Sequence, residues 1–254
     1  MNKIKELHPL LHFIISDHKS SSVNLQNKHR NLYTFARDLT TIYEYNKNIC
    51  KHFEKRIIKE RDIKNFWGGT FAEIIVIAFY IREKFNVEIN EGEADLIITI
   101  DNDQLYFEVL SICPDWDVTQ NTKDTIVYDV KTHLPVVNTS SVRGKLCGKL
   151  GENQNQFKDG LKNIAIIELN DVSIAGDFHV LSSLSGGYKV ELDKNSGKIV
   201  KGGFDWNNNS FFEREDSKRV SAIIYFSMGN YKNRKKIKNP TANCPIDNRL
   251  LKRL

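Results

Sequence analysis

The spacing of apolar positions changes character along the chain. Near the start, Leu32, Phe35, Leu39, Ile42 and Tyr43 recur at helical intervals, with Arg30, Arg37 and Asp38 between them. Residues 52–64 are rich in Lys, Arg and Glu and read as a solvated helix. Gly68-Gly69 followed by Thr70 reads as a break and an N-cap for a helix from Phe71 to about Lys84. From Phe71 to Ile81 every residue except Glu73 is apolar or aromatic, so this helix is expected to be buried nearly all round. An ionised carboxylate there is costly unless paired or metal-bound. The competing reading puts Glu73 in the first turn, exposed or favoured by the helix dipole.

The period then falls to two. Residues 93–100 and 104–110 form two strand-like runs joined by Asp101-Asn102-Asp103. A two-residue loop at Asn102-Asp103 sets Ile97 opposite Glu108 and Asp95 opposite Leu110. One face is then Leu96, Ile98, Ile100, Leu105, Phe107 and Val109, all apolar. Asp95 and Glu108 share the other face as diagonal neighbours, roughly 7–8 Å apart at most. Like charges so close repel, and a shared proton or a cation between them relieves the repulsion. Carboxylates are also common on the wet face of a hairpin, and a loop longer or shorter by one residue would separate the two acids.

Farther on, residues 126–137 suggest a strand that Pro135 confines to an edge. Ser140-Ser141 suggest a cap for a helix over about 142–157, and 163–169 reads as a buried strand. Residues 171–217 read as loops and weak elements, and 220–226 as a last strand. A basic run of Lys232, Arg234, Lys235, Lys236 and Lys238 follows. No internal repeat or low-complexity linker interrupts the chain. The expected organisation is an N-terminal helical extension, 1–65, and one α/β domain, 66–254, with a mixed central sheet flanked by helices.

Composition narrows the function classes. The chain has 37 basic and 32 acidic residues, a net charge of +5, compatible with a nucleic-acid partner and equally with a solvated lysine-rich surface. Cys50, Cys113, Cys147 and Cys244 are far apart, which disfavours a zinc site and suits a reducing cytoplasm. Residues 1–11 show no signal peptide, and no run approaches the ~18 apolar residues a bilayer needs. Nucleotide-binding loops, nucleophile elbows and paired metalloprotease histidines are absent from the sequence. His8 and His12 can share a helix face, and Trp116 and Trp206 can stack on bases. An exposed face and ordinary packing are the stronger readings of these.

The order of helix with Glu73, strand with Asp95, strand with Glu108, helix with Lys145 and Lys149, then buried strand resembles the PD-(D/E)xK, or restriction-endonuclease-like, nuclease superfamily. The resemblance covers roughly residues 66–170 and rests on a short motif. The segment 219–226 and Asn239-Pro240-Thr241-Ala242 also look like the ends of bacterial members. The resemblance implies a sheet flanked by helices and a divalent-metal-dependent endonuclease. Glu73, Asp95 and Glu108 would hold Mg2+ or Mn2+. The partner would be nucleic acid, DNA ahead of RNA, with a homodimer compatible and a membrane excluded.

One position departs from the motif. Where the superfamily carries a lysine two residues after the strand Glu, this chain has Leu110, in Glu108-Val109-Leu110. Lys145 and Lys149, four apart on the next helix with Glu152 and Gln156 along the same stripe, are the candidate replacements. Asp129-Val130-Lys131 is a second candidate for the acidic-x-Lys strand. Gly144, Gly148 and Gly151 weaken the helix by roughly 1 kcal/mol each, unless close packing needs them. The missing lysine also supports an alternative: a catalytically inactive nuclease-fold protein that binds nucleic acid or a protein partner.

Overall fold

The computed structural model describes residues 25–60, 69–90, 94–112, 146–150, 156–169, 177–185, 188–193, 196, 199–204, 210–227 and 230–254. Three helices come first: α1 (Leu25–Tyr45), α2 (Lys47–Glu60) and α3 (Gly69–Arg82). Strands β1 (Asn86–Asn90), β2 (Ala94–Ile100) and β3 (Asp103–Ile112) follow as an antiparallel meander. After the helical segment 146–150, β4 (Lys162–Leu169) lies parallel to β3, and β7 (Val220–Ser227) lies parallel to β4. Strand β8 (Lys235–Lys238) closes the far edge antiparallel to β7, and α5 (Asn248–Arg253) ends the chain. The result is a six-stranded mixed sheet in the order β1-β2-β3-β4-β7-β8, with helices on both faces. A small two-stranded sheet, β5 (Tyr188–Leu192) with β6 (Ile199–Phe204), follows α4 (Asp177–Ser185) in the 171–217 region, where the sequence suggested only weak elements.

Alternation along the strands builds two cores. Leu96, Ile98, Ile100, Leu105, Phe107, Val109, Ile164, Ile166, Ala222 and Ile224 pack with α1, α2, α3 and the C-terminal residues Ile246, Leu250 and Leu254. The intervening positions, Leu110, Ile112, Ala165, Ile167, Leu169, Ile223 and Tyr225, pack with Leu146, Leu150, Phe157, Val180 and Leu184. Burial on both faces is why β4 and β7 read as unbroken apolar runs. The apolar hairpin face expected from the sequence is intact and lies entirely in the first core. Residues of α1 and α2, including Phe35, Leu39, Ile42, Phe53 and Ile57, are buried in that same core. The rings of Phe35 and Phe71 stack at 5.2 Å, tying α1 to α3.

Helix α3 is buried along ten of its fourteen residues, as its composition demands. It starts at Gly69, so Thr70 is a helical residue rather than the cap, and Glu73 is the fifth residue, past the first turn. The reading of Glu73 as an exposed helix-end acid is therefore corrected: it is 5% exposed. The helix stops at a Schellman turn. The Phe85 amide donates to the Tyr80 carbonyl, the Lys84 amide donates to the Ile81 carbonyl, and Lys84 takes a φ of 63°. Tyr80 and Phe85 meet edge to face at 5.6 Å across this turn.

Two further expectations change. The turn of the β2–β3 hairpin is Asp101-Asn102, not Asn102-Asp103, because Ile100 pairs with Asp103 and Leu96 with Phe107. Asp101 takes a φ of 56°, a left-handed conformation that Asp tolerates better than most residues. The expected 142–157 helix is helical at 146–150 and no longer helical at 156 and 157. The 126–137 strand, Lys131, Trp116, Trp206 and Lys145 lie outside the described residues. Among the described residues no helix is long and apolar enough to cross a membrane.

Candidate active site

The paired strands β2 and β3 stop exchanging ladder bonds just beyond Leu96 and Phe107. One step farther in this register, Asp95 stands directly opposite Glu108, closer than the diagonal placement expected from the sequence. Moving a two-residue loop by one position slides the pairing by two residues, so the acids keep their shared face. Here the Val109 amide donates to Asp95 Oδ2 at 2.8 Å. The carboxylate thus serves as an acceptor where the ladder ends, and this fixes its direction.

Glu108 is 2% exposed and faces the second core side of the sheet. Its Oε2 accepts from Lys149 Nζ at 3.2 Å. Burial, the Asp95 charge and a hydrogen bond with Asp95 push the Glu108 carboxyl up to about 8, against the opposing pull of Lys149. Glu73 enters from α3. Its two oxygens are gripped by the forked guanidinium of Arg56 on α2, Nη2 donating to Oε1 at 3.0 Å and Nη1 to Oε2. Burial and then the Asp95 charge raise the Glu73 carboxyl to about 7, opposed by Arg56 and Lys149. Asp95 therefore repels both glutamates, and Lys149 attracts both. Glu73, Asp95, Glu108 and Lys149 come together with Arg56 as one electrostatic cluster.

The lysine is held from below. Leu146 and Leu150 are buried in the second core together with Leu110, two residues after Glu108. Arg219, at the mouth of β7, donates to the Leu150 carbonyl at 3.1 Å and to the Phe157 carbonyl at 3.2 Å. It thereby ties the helical segment to the sheet. A Cβ on Gly148 would meet nothing within 4 Å, so close packing does not require glycine there. The Gln156 amide donates to the Lys149 carbonyl at 3.4 Å, and its own Oε1 is buried without a hydrogen bond.

The donors suit a hard divalent cation, being carboxylate oxygens that repel one another. Among the described residues, however, no three His, Cys, Asp or Glu side chains converge on one point as they stand. Each acid already has an internal donor: Arg56 on Glu73, the Val109 amide on Asp95 and Lys149 on Glu108. Arg56 holds both oxygens of Glu73, so an ion that uses Glu73 competes with that guanidinium. The sequence offers Arg56 only as one of several basic residues expected to flank the acidic cleft, and it gives Arg219 no role at the site. Their partners lie 17 and 69 residues away, and no helical or strand period links such positions.

Two other polar features lie apart. Ser111 donates to fully buried Glu168 at 3.1 Å on the first-core side of the sheet. A cavity of about 530 Å³ between α1, α3 and residues 230–232 is lined by Asp38, Ile75, Phe79 and Arg82, and by none of the three acids. The basic tail is engaged internally. Lys235 pairs with Asp177, Lys236 donates to the Lys252 carbonyl at 2.9 Å, and Arg234 donates to the Leu254 carbonyl and covers the Phe79 ring at 4.4 Å. Asn239, at the end of β8, donates to the Ser217 and Val220 carbonyls and so clamps the start of β7. No family model, no curated protein and no solved structure matches the chain.

Proposed function

We propose that this protein is a divalent-metal-dependent endonuclease acting on DNA. The observation that carries the reading is the cluster itself. Three acids from three elements meet here, Asp95 repelling the other two; the two glutamates are buried and biased toward the protonated form, and two cations stand against them. A structural ion pair needs one acid and one base, and the third carboxylate adds only repulsion. Perturbed carboxyls grouped this way are what a site built to accept positive charge presents before it is filled.

Asp95 and Glu108 would hold Mg2+ or Mn2+, with Glu73 as the third arm. A bound ion of this kind supplies an activated water and stabilises charge on the phosphorus. The chain's own residues do the rest. The Val109 amide keeps Asp95 oriented, and the apolar floor of Leu110, Leu146 and Leu150 limits water below the acids. The Lys149 ammonium, 3.2 Å from Glu108, is placed to orient the attacking water and to stabilise the negative charge that develops on it. It takes the duty that Leu110 cannot perform.

The test is cleavage of plasmid DNA with Mg2+ or Mn2+. Lys149→Ala is expected to lower the rate by about 100-fold or more with the fold unchanged by circular dichroism. Asp95→Asn is expected to abolish cleavage. The second reading, a nuclease fold that binds nucleic acid without cutting, is favoured by Leu110. Salt-dependent DNA binding with no metal-dependent nicking of DNA or RNA would establish it instead.

A further inference from the structure

Arg56 is the one cation of the cluster that the nuclease reading leaves without a task, and its geometry gives it one. Its guanidinium engages both oxygens of Glu73, a carboxylate with 6% of its side-chain surface exposed, while the arginine itself keeps 29%. The acid is inside and the base reaches in from the rim. The arginine comes from α2, an element other than the one carrying the acid. Its aliphatic and guanidinium surface rests near the Phe53 ring at 6.0 Å, and Lys51 and Lys55 on the same helix are exposed. A buried structural acid needs a permanent partner. This partner sits at the boundary with solvent, and its planar fork matches a phosphate as well as it matches a carboxylate.

We infer that Arg56 is an exchangeable internal cation: it closes the Glu73 arm at rest, yields that arm to a divalent metal, and then takes a non-bridging oxygen of the substrate phosphodiester. The inference rests on the metal-site reading above and extends it to a residue that acts as a latch and a positioning group. No bond is made or broken in the exchange. Glu73 trades two charge-assisted hydrogen bonds for a metal contact, and Arg56 trades a carboxylate for a phosphate.

Opposite effects on two bindings distinguish this role from a purely structural one. Mn2+ affinity of the full chain is measured by calorimetry, and affinity for a short DNA duplex by anisotropy with Ca2+ in place of Mn2+. Arg56→Gln is expected to bind Mn2+ about threefold to tenfold more tightly than the wild type, because Glu73 loses its competitor. The same variant is expected to bind duplex about fivefold more weakly. The Mn2+ gain should vanish in an Arg56→Gln/Glu73→Gln double variant, where nothing remains to be released. If Arg56→Gln does not fold, Arg56→Lys decides, because one ammonium cannot bridge both oxygens and should raise Mn2+ affinity at least about twofold. Unchanged or weaker Mn2+ binding in these variants, with the wild type binding and Asp95→Asn not binding, overturns the role of Arg56 and leaves the metal site standing. A wild-type protein that binds no Mn2+ overturns both.

Discussion

Glu108 holds its proton well past the range of an ordinary glutamate because it is buried opposite Asp95, and this has a consequence for stability. The folded carboxyl titrates near 8, against about 4.5 for the free side chain. Between those values the folded state binds more protons than the unfolded chain, so stability without metal falls as pH rises through that window. Glu73, raised to about 7, adds to the fall over the lower part of it. The contribution is fully present below about pH 4.5 and lost as pH passes 8. Glu108→Gln removes the larger titration. We expect the variant to exceed the wild type by about 2 kcal/mol at pH 8.5 and to differ little at pH 5. Urea unfolding at the two pH values measures it, and an equal gap at both would remove the titration as the cause. At this scale the acids were legible in the sequence, because a lone carboxylate in an apolar run needs a partner. Lys149 was one of the two bases the sequence offered, and its ammonium does reach Glu108; that Arg56 grips Glu73 was not legible, since the two meet only through tertiary packing.

The elements themselves follow from period and chain punctuation, with errors that have definite causes. Asp101-Asn102-Asp103 offers two loops of the same chemistry. The strands chose the one that gives Asp101 the left-handed position, and the apolar face was insensitive to the choice. The end of α3 was harder to place, because no glycine marks it. Lys84 occupies the left-handed position of the Schellman turn, where an L side chain is strained and glycine is not. Its side chain is exposed, so little is lost by removing it. Lys84→Gly is expected to raise stability by about 0.5–1 kcal/mol without altering DNA binding or metal binding. A thermal melt unchanged or lowered by the substitution would show that the side chain contributes more than the strain costs.

Across the whole molecule the sheet order sorts the positive charge that composition alone could only count. From the sequence, the basic run at 232–238 is expected to flank the acidic cleft. It is instead the edge strand β8 and its approach, three strands from β3 and so on the order of 14 Å from Glu108 along the sheet. Lys235, Lys236 and Arg234 are occupied by Asp177 and by carbonyls of the C-terminal residues. Lysines on an edge strand also discourage pairing with another chain, which is reason enough for them to be there. Helix α2 differs: it delivers Arg56 to the acids, and Lys51 and Lys55 lie exposed one helical turn apart on the same element. A phosphodiester backbone laid along α2 would meet those charges, and each phosphate neutralised releases condensed counterions. Replacing Lys51 and Lys55 with alanine should therefore weaken duplex binding and reduce the log–log salt slope by roughly 1.8. The paired replacement Lys235→Ala/Lys236→Ala, matched in charge, should leave both affinity and slope where they were. Equal losses from the two pairs would mean that net charge alone attracts DNA, and would separate the binding surface from the acidic cluster.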